Sequence, residues 1–233
     1  SSGGRPTLRN VAFIENSGNN GGGLYSSSAS DLANVTFKRN VASGSGGGMY
    51  NGGNSRLFNV AFLGNICTAY DGGGLYNYSD ATLVNVVFSG NEATNTMANG
   101  RGGGLYSEAT STWPSVDLSH PTLTNVTFSG NEAAGGGSAI YNNQSNATIQ
   151  NSIVWGNGGT TIANISSTIT VTYSLIEGGW TGAGNLDADP RFRRAPSPGP
   201  DTTWGTADDD YGDLSLLTSS PALDAGDNTA LPT

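Results

Sequence analysis

The chain is poor in reactive and charged side chains: its 233 residues include one cysteine, one histidine and one lysine. The lone Cys67 rules out an internal disulfide, so stability has to come from packing and repetition. Charged residues make up only 12% of the chain, too few for a coiled coil or helical bundle, which need charged, Ala/Leu-rich helix formers. No apolar run approaches the roughly 18 residues of a membrane-spanning helix. Basic residues number 9 against 18 acidic ones, so there is no basic stripe for nucleic acid. An initiator Met and a signal peptide are both missing, and the chain reads as processed or excised.

What the chain has in excess is glycine, 36 residues, and asparagine, 25. Glycine does not recur at every third position, which excludes collagen. The excess is instead organised by a repeat. One phrase, Asn-x-x-Phe-x-x-Asn, runs from Asn10 to Asn16, Asn34 to Asn40, Asn59 to Asn65, Asn85 to Asn91 and Asn125 to Asn131. A weaker copy spans Asn151 to Asn157, and a decayed one Tyr173 to Gly179. The markers Phe13, Phe37, Phe62, Phe88, Phe128, Val154 and Ile176 are spaced by 24, 25, 26, 40, 26 and 22 residues. A second, glycine-rich phrase falls between them and ends at Tyr25, Tyr50, Tyr76, Tyr106 and Tyr141.

The apolar patches within one unit are too short for helices, and glycine clusters separate them. Short strands that coil once per unit make a parallel β-helix rung. Fold class is therefore all-β, a single-stranded parallel β-helix of about seven rungs, rising roughly 34 Å at strand spacing. Three columns are expected inside: Leu8 to Ile149, Val11 to Val126 with the phenylalanines, and Leu24 to Ile140. The three-residue step from Leu8 to Val11 requires a face flip at Asn10, where asparagine tolerates the left-handed backbone. Stacked asparagines can then pair their amides from rung to rung. Cys67 aligns with Ala42, Ala93 and Ala133, a column for small inward side chains.

Function is sought where the repeat breaks. Extra residues leave one rung at about 94–101 and 107–121. The second insertion carries Glu108, Trp113, Asp117 and His120, which could form a sugar-binding or acid–base site or simply a surface loop. Glu92 and Glu132 fall at the same position of adjacent rungs, where paired carboxylates could raise a pKa, hold a cation or serve a glycosidase, or else splay into solvent. The tyrosine column, with Tyr76 and Tyr106 beside the insertions, is expected to face outward for sugars or a protein surface, or to be a partly covered stack. Asn-x-Ser/Thr sequons make Asn77, Asn143, Asn146 and Asn164 candidate glycosylation sites. Asn34 and Asn125 are sequons too, but as ladder members they are expected to be inaccessible.

Residues 1–183 form the repeat region and 184–233 a Pro/Asp-rich C-terminal segment, the expected cap for an open solenoid end. Residues 181–233 alone carry a net charge of −6 of the total −9. Asp208, Asp209, Asp210 and Asp213, with Asp187 and Asp189 nearby, could bind Ca²⁺, the one cofactor considered, although their spacing is not that of an EF-hand.

The GGGLY and NVTFSGN phrases resemble the repeats of right-handed parallel β-helix surface proteins, including polymorphic outer-membrane proteins of the chlamydial type. The phrases NSIVWGN, YSLIEGG, LDADPRF and SSPALDAGDN resemble the terminal rungs of large bacterial secreted β-helix proteins with varied surface anchors. The resemblance covers nearly the whole chain. It implies a right-handed solenoid, an extracellular or cell-surface location and a structural or adhesive role, and it transfers no catalytic residue. No anchor or outer-membrane barrel is recognisable within this chain. Pectate lyases and polygalacturonases share the general fold, but their basic-residue cluster and Asn-x-Asp and Gly-His-Gly signatures are missing. The reading is therefore a non-enzymatic module that self-associates, stacks into a filament or layer, or meets other surface proteins or polysaccharide. The entry to the first rung at Leu8 has no amphipathic cap of its own, so either upstream chain or another molecule is expected to cover that edge. The alternative function is a polysaccharide-binding, lyase or glycosidase protein.

Overall fold

The computed structural model describes residues 5–97, 99–112 and 115–230. Three parallel sheets wind about a common core. The principal sheet stacks seven turns: Thr7–Ile14, Asp31–Lys38, Arg56–Leu63, Thr82–Ser89, Thr122–Ser129, then Thr148–Gln150 with Ile153–Val154, and Thr170–Thr172 with Leu175–Ile176. A second sheet holds five two-residue strands from Ser17–Gly18 to Glu132–Ala133. The third holds six, from Leu24–Ser26 to Ile162–Ile165. The chain is thus a parallel β-solenoid of about six complete turns, slightly fewer than the count of Phe-type markers suggests. The seventh turn is completed by chain with no repeat signature.

Register follows the columns. Leu8 pairs with Leu32, Val11 with Val35 and Phe13 with Phe37, and the same matches continue through Phe128. The face flip occurs at φ 55° in Asn10, Asn34, Asn85 and Asn125. It does not end the strand. The two apolar patches fuse into one bent eight-residue strand, because a single left-handed residue re-aims the side chains while the neighbouring turns keep the ladder paired. Phe37, Phe62, Phe88 and Phe128 are fully buried, and their rings stack nearly parallel with centroids 4.6 to 4.8 Å apart. The glycine corners let turns approach: a Cβ on Gly74 would lie 2.6 Å from the Gly104 carbonyl oxygen and 3.0 Å from the Phe88 ring.

Two asparagine ladders run along the solenoid with different roles. The inner one, Asn16, Asn40, Asn65, Asn91, Asn131 and Asn157, links neighbouring side chains at 2.9 to 3.0 Å. From Asn40 on, each Nδ2 also donates to the carbonyl of the phenylalanine one turn back, as Asn91 does to Phe62 at 2.9 Å. Asn40, Asn65, Asn91 and Asn131 are completely buried, so these bonds satisfy backbone groups that water cannot reach. The outer ladder, Asn10 to Asn125, bonds at 3.0 to 3.2 Å and lies largely at the surface.

The C-terminal segment does two jobs. Leu186 pairs with Leu175, Asn185 bonds to the last turn, and Trp180 packs on the end of the core, so the closing cap is short. The chain then turns back along the flank, which an end cap alone does not anticipate. Trp204, 3% exposed, sits where a Cβ on Gly90 would be 2.4 Å from its ring, and the Tyr211 ring similarly occupies the space above Gly64. The Lys38 ammonium lies 5.3 Å from the Tyr211 ring centre. Near the end, the Asn151 amide exchanges two 2.8 Å bonds with the backbone of Asp227, as a ladder partner would. The physical reason is the groove of glycines at the corner: with no side chains to fill it, aromatic rings from elsewhere can.

Candidate functional site

The tyrosine column is the most elaborated surface feature. Tyr25, Tyr50, Tyr76, Tyr106 and Tyr141 stack with centroids 5.0 to 5.4 Å apart. Exposure falls from 55% at Tyr25 to 1% at Tyr106. Because each ring covers the face of the next, the exposed part of the column presents mainly ring edges, and Tyr25 at its exposed end has a ring neighbour on one side, Tyr50. The column is thus exposed at its Tyr25 end and covered at Tyr106.

Glu108 follows Tyr106 on the same strand and receives hydrogen bonds from the Tyr76 and Tyr106 hydroxyls, the latter at 2.9 Å. Asn143 Nδ2 reaches the Tyr106 hydroxyl at 3.3 Å. Burial, reinforced by Glu108, pushes the Tyr76 phenol well above its usual range, and Tyr106 is raised in the same way. On the other side Arg101 lies 5.1 Å from the ring centres of both Tyr106 and Tyr141 while its guanidinium grips Asp71 at 2.7 and 2.9 Å. Asp71 and Arg101 each precede a Gly-Gly-Gly run, so opposite charges occupy one column on adjacent turns. That pairing is carried by the repeat itself, at a position before the glycine run, and not by a residue that interrupts it.

His120 does not join this cluster. His120 is exposed beside Asp80, with Nδ1 3.7 Å from Oδ1 and its backbone N–H bonded to the same oxygen at 2.6 Å. Among the described residues no hydrogen bond or ion pair connects His120 to Glu108. The insertion folds as an antiparallel hairpin of Thr110–Thr112 with Ser115–Asp117, in which Asp117 is paired with Thr110. Trp113 lies outside the described residues.

Glu92 and Glu132 are indeed register partners on the second sheet. Burial raises the Glu92 carboxyl above its ordinary range, and the charges of Glu132 and of Asp209 from the flanking segment add to the shift. A folded-state pKa above the unfolded one means that the fold favours the protonated form, so this group's stabilisation is present at low pH and lost as pH rises through the shifted range. Glu92→Gln is therefore expected to raise the melting temperature at pH 7, with the advantage vanishing below about pH 4, where both states hold the proton. Thermal unfolding followed by circular dichroism at the two pH values measures this directly.

The acidic segment directs its carboxylates to separate partners. Asp209 accepts bonds from Gly205 N, Thr206 N and the Tyr211 hydroxyl, Asp210 pairs with Arg194 at 2.5 Å, and Asp213 bonds Ser215 and lies 3.5 Å from Arg193. Thr206 holds Asp208 below the usual carboxylate range. Among the described residues no group of three or more His, Cys, Asp or Glu is arranged to hold a metal ion. Calcium stays a matter for titration, not geometry.

The sequons also sort differently from expectation. Asn77 is fully buried, with Nδ2 bonded to Ser79 and Ser107, whereas Asn34 is exposed on the outer ladder. The two lie on different sheets: Asn34 is the left-handed bend of a principal-sheet strand, whereas Asn77 follows buried Leu75 by two residues on the third sheet and so shares its inward face. Asn143, Asn146 and Asn164 are half-buried and hydrogen-bonded, and Asn125 is half-buried as well.

Cys67 is wholly buried between Ala42 and Ala93, and its thiol donates to the Gly44 carbonyl at 2.8 Å. Burial pushes the thiol up to about 11. The folded protein is expected to resist a thiol-reactive disulfide reagent at pH 8 and to react at once in concentrated guanidinium. Rapid modification of the native chain, read from released chromophore, would contradict the burial.

A family model described as the Chlamydia polymorphic membrane protein repeat matches residues 85–108 and 125–143, the strand-and-tyrosine portions of the fourth and fifth turns. Over those residues the chain is similar to a polymorphic membrane protein repeat. The matched polymorphic membrane protein repeats contain Asn85, Phe88, Asn91 and Tyr106, and Asn125, Phe128, Asn131 and Tyr141, the same residues that build both ladders and both ring stacks. No curated protein and no solved structure matches the chain. Among the described residues no helix is long and apolar enough to cross a membrane.

Proposed function

We propose that this chain is a non-enzymatic structural or adhesive module exposed at a bacterial cell surface. The observation that carries the reading is the use to which its chemistry-bearing side chains are put. The inner asparagines, Tyr76, Tyr106, Glu108, Arg101 and Cys67 all direct their polar groups to neighbouring side chains and turns or to backbone, which makes a stiff rod with columns of repeated surface. The resemblance to a repeat of a bacterial membrane protein supports the location. Self-association through the last turn is disfavoured, since Trp180 and residues 183–187 close it.

Glu92, whose carboxyl burial and the charge of its register partner Glu132 raise above the ordinary range, favours the polysaccharide-active alternative. Two measurements separate the readings. Protease shaving of intact cells that make the protein should release its peptides, and light scattering reports its self-association. Release of reducing sugars or unsaturated products from a polysaccharide panel, abolished by Glu92→Gln, would replace the structural reading with the enzymatic one.

A further inference from the structure

The outward columns of the first three turns make a feature distinct from the ladders. On the principal sheet Arg9, Ala33 and Phe58 stand in register, and beside them stand Thr7, Asp31 and Arg56. Ala33 is small between longer neighbours, so it floors a cavity of about 240 Å³ walled by these residues. Phe58 is 47% exposed, and both Arg9 and Arg56 are exposed. Asp31 is held from the side by Arg5, at 2.8 Å, and Arg5 also bonds the Asn54 carbonyl at 2.9 Å.

In this chain of net charge −9 most cations are spoken for: Arg5, Arg39, Arg101, Arg193 and Arg194 all have carboxylate partners. Among the described residues neither Arg9 nor Arg56 makes an ion pair or a side-chain hydrogen bond. Two unpaired guanidiniums facing one cavity are a concentration of positive charge that the packing does not use. Two strand spacings and two residues along the strand separate their backbones by roughly 12 Å. Long side chains from both can therefore reach one bound group.

We propose that this cavity binds the uronate sugars of an acidic polysaccharide. Each wall has a counterpart in such a ligand. Arg9 and Arg56 supply forked donors for sugar carboxylates. The Phe58 ring packs against the C–H face of a pyranose. Asp31, whose other oxygen is not taken by Arg5, accepts from sugar hydroxyls. That carboxylate distinguishes the site from a simple anion patch, where a negative wall would only repel. The site lies on the first three turns, apart from the fourth-turn insertions and from Glu92, and it supplies a ligand class for the adhesive reading, on which it rests for its biological setting alone.

The test is calorimetric titration of the whole chain with polygalacturonate and with the same polymer fully methyl-esterified, which keeps the sugar and removes the charge. Binding to the free-acid form is expected, weakened about tenfold or more by esterification and equally by Arg9→Ala with Arg56→Ala. Phe58→Ala should weaken it several-fold, and Arg9→Lys with Arg56→Lys should restore only part, because lysine keeps the charge without the fork. These side chains are exposed, so unchanged thermal melting certifies the variants as folded. No binding, undiminished binding of the esterified polymer, wild-type affinity in the double alanine variant, or equal affinity for dextran sulfate and inorganic phosphate would each overturn the proposal. Protease shaving of intact cells tests surface exposure independently, so failure here leaves the surface reading standing or falling on its own result.

Discussion

Asn91→Ala is expected to be among the most damaging single changes this protein can suffer, although it removes only a carboxamide. Asn91 Oδ1 accepts from both Asn65 N and Asn65 Nδ2, at 3.0 and 2.9 Å, while Nδ2 donates to Asn131 Oδ1 and the Phe62 carbonyl, each at 2.9 Å. Every one of these groups is buried, so truncation strands several donors and acceptors at about 1–3 kcal/mol each, for a loss on the order of 4 kcal/mol. The outer ladder supplies the control. Asn59 also bonds along its ladder, at 3.2 and 3.1 Å, but it is exposed and has φ 52°, so Asn59→Gly keeps the backbone conformation and leaves groups that water can satisfy. Its cost should stay near about 0.5 kcal/mol. Urea unfolding midpoints compare the two. Equal shifts would mean that the inner ladder is not the principal polar tie between turns. Because each turn of the solenoid pairs mainly with its neighbours, the inner change should also broaden or split the transition.

Phe88→Ala is expected to cost about 3–5 kcal/mol. Its ring is fully buried and lies 4.7 Å from Phe62 and 4.6 Å from Phe128, so deletion opens a void in the middle of a stack whose backbone is pinned by ladders on both sides. The surrounding turns have little freedom to collapse into it. Phe13→Ala removes the same ring from the first turn, where it is only half-buried and has one ring neighbour at 5.1 Å, so about 1–2 kcal/mol is expected there. A denaturation series through Phe13, Phe37, Phe62 and Phe88 should show the cost rising away from the end. Equal cost at Phe13 would show that neither the burial of the ring nor its stacking neighbours set the energy.

The scaffold was legible because its repeats name their own register. Once Phe13, Phe37 and Phe62 are aligned, the position of Leu8 over Leu32 follows, and so does the small-residue column that contains Cys67. The left-handed asparagine was legible from the odd spacing between Leu8 and Val11. Exposure was less so. Asn34 and Asn77 both sit in repeated phrases, yet one faces water and the other the interior, since Asn34 forms the bend of its strand and Asn77 shares the inward face of Leu75 on another sheet. For the candidate site, Tyr76, Tyr106 and Glu108 could be grouped from the repeat and the insertion, whereas the separation of His120 could not. Two residues of one insertion diverge once it folds as a hairpin.

The sequence by itself determined the parallel solenoid, its inward columns and the adjacency of Glu92 to Glu132, because in a stacked repeat equivalent residues are neighbours by construction. Only the tertiary structure decided what lies across the turns from outside. The flanking segment has no repeat to align, and it recognises absence, seating Trp204 and Tyr211 over Gly90 and Gly64 and bringing Asp209 toward Glu92. The cavity between Arg9 and Arg56 has the same origin. Its floor is the shortness of Ala33 between two longer neighbours, a relief that exists only when three distant segments are laid side by side.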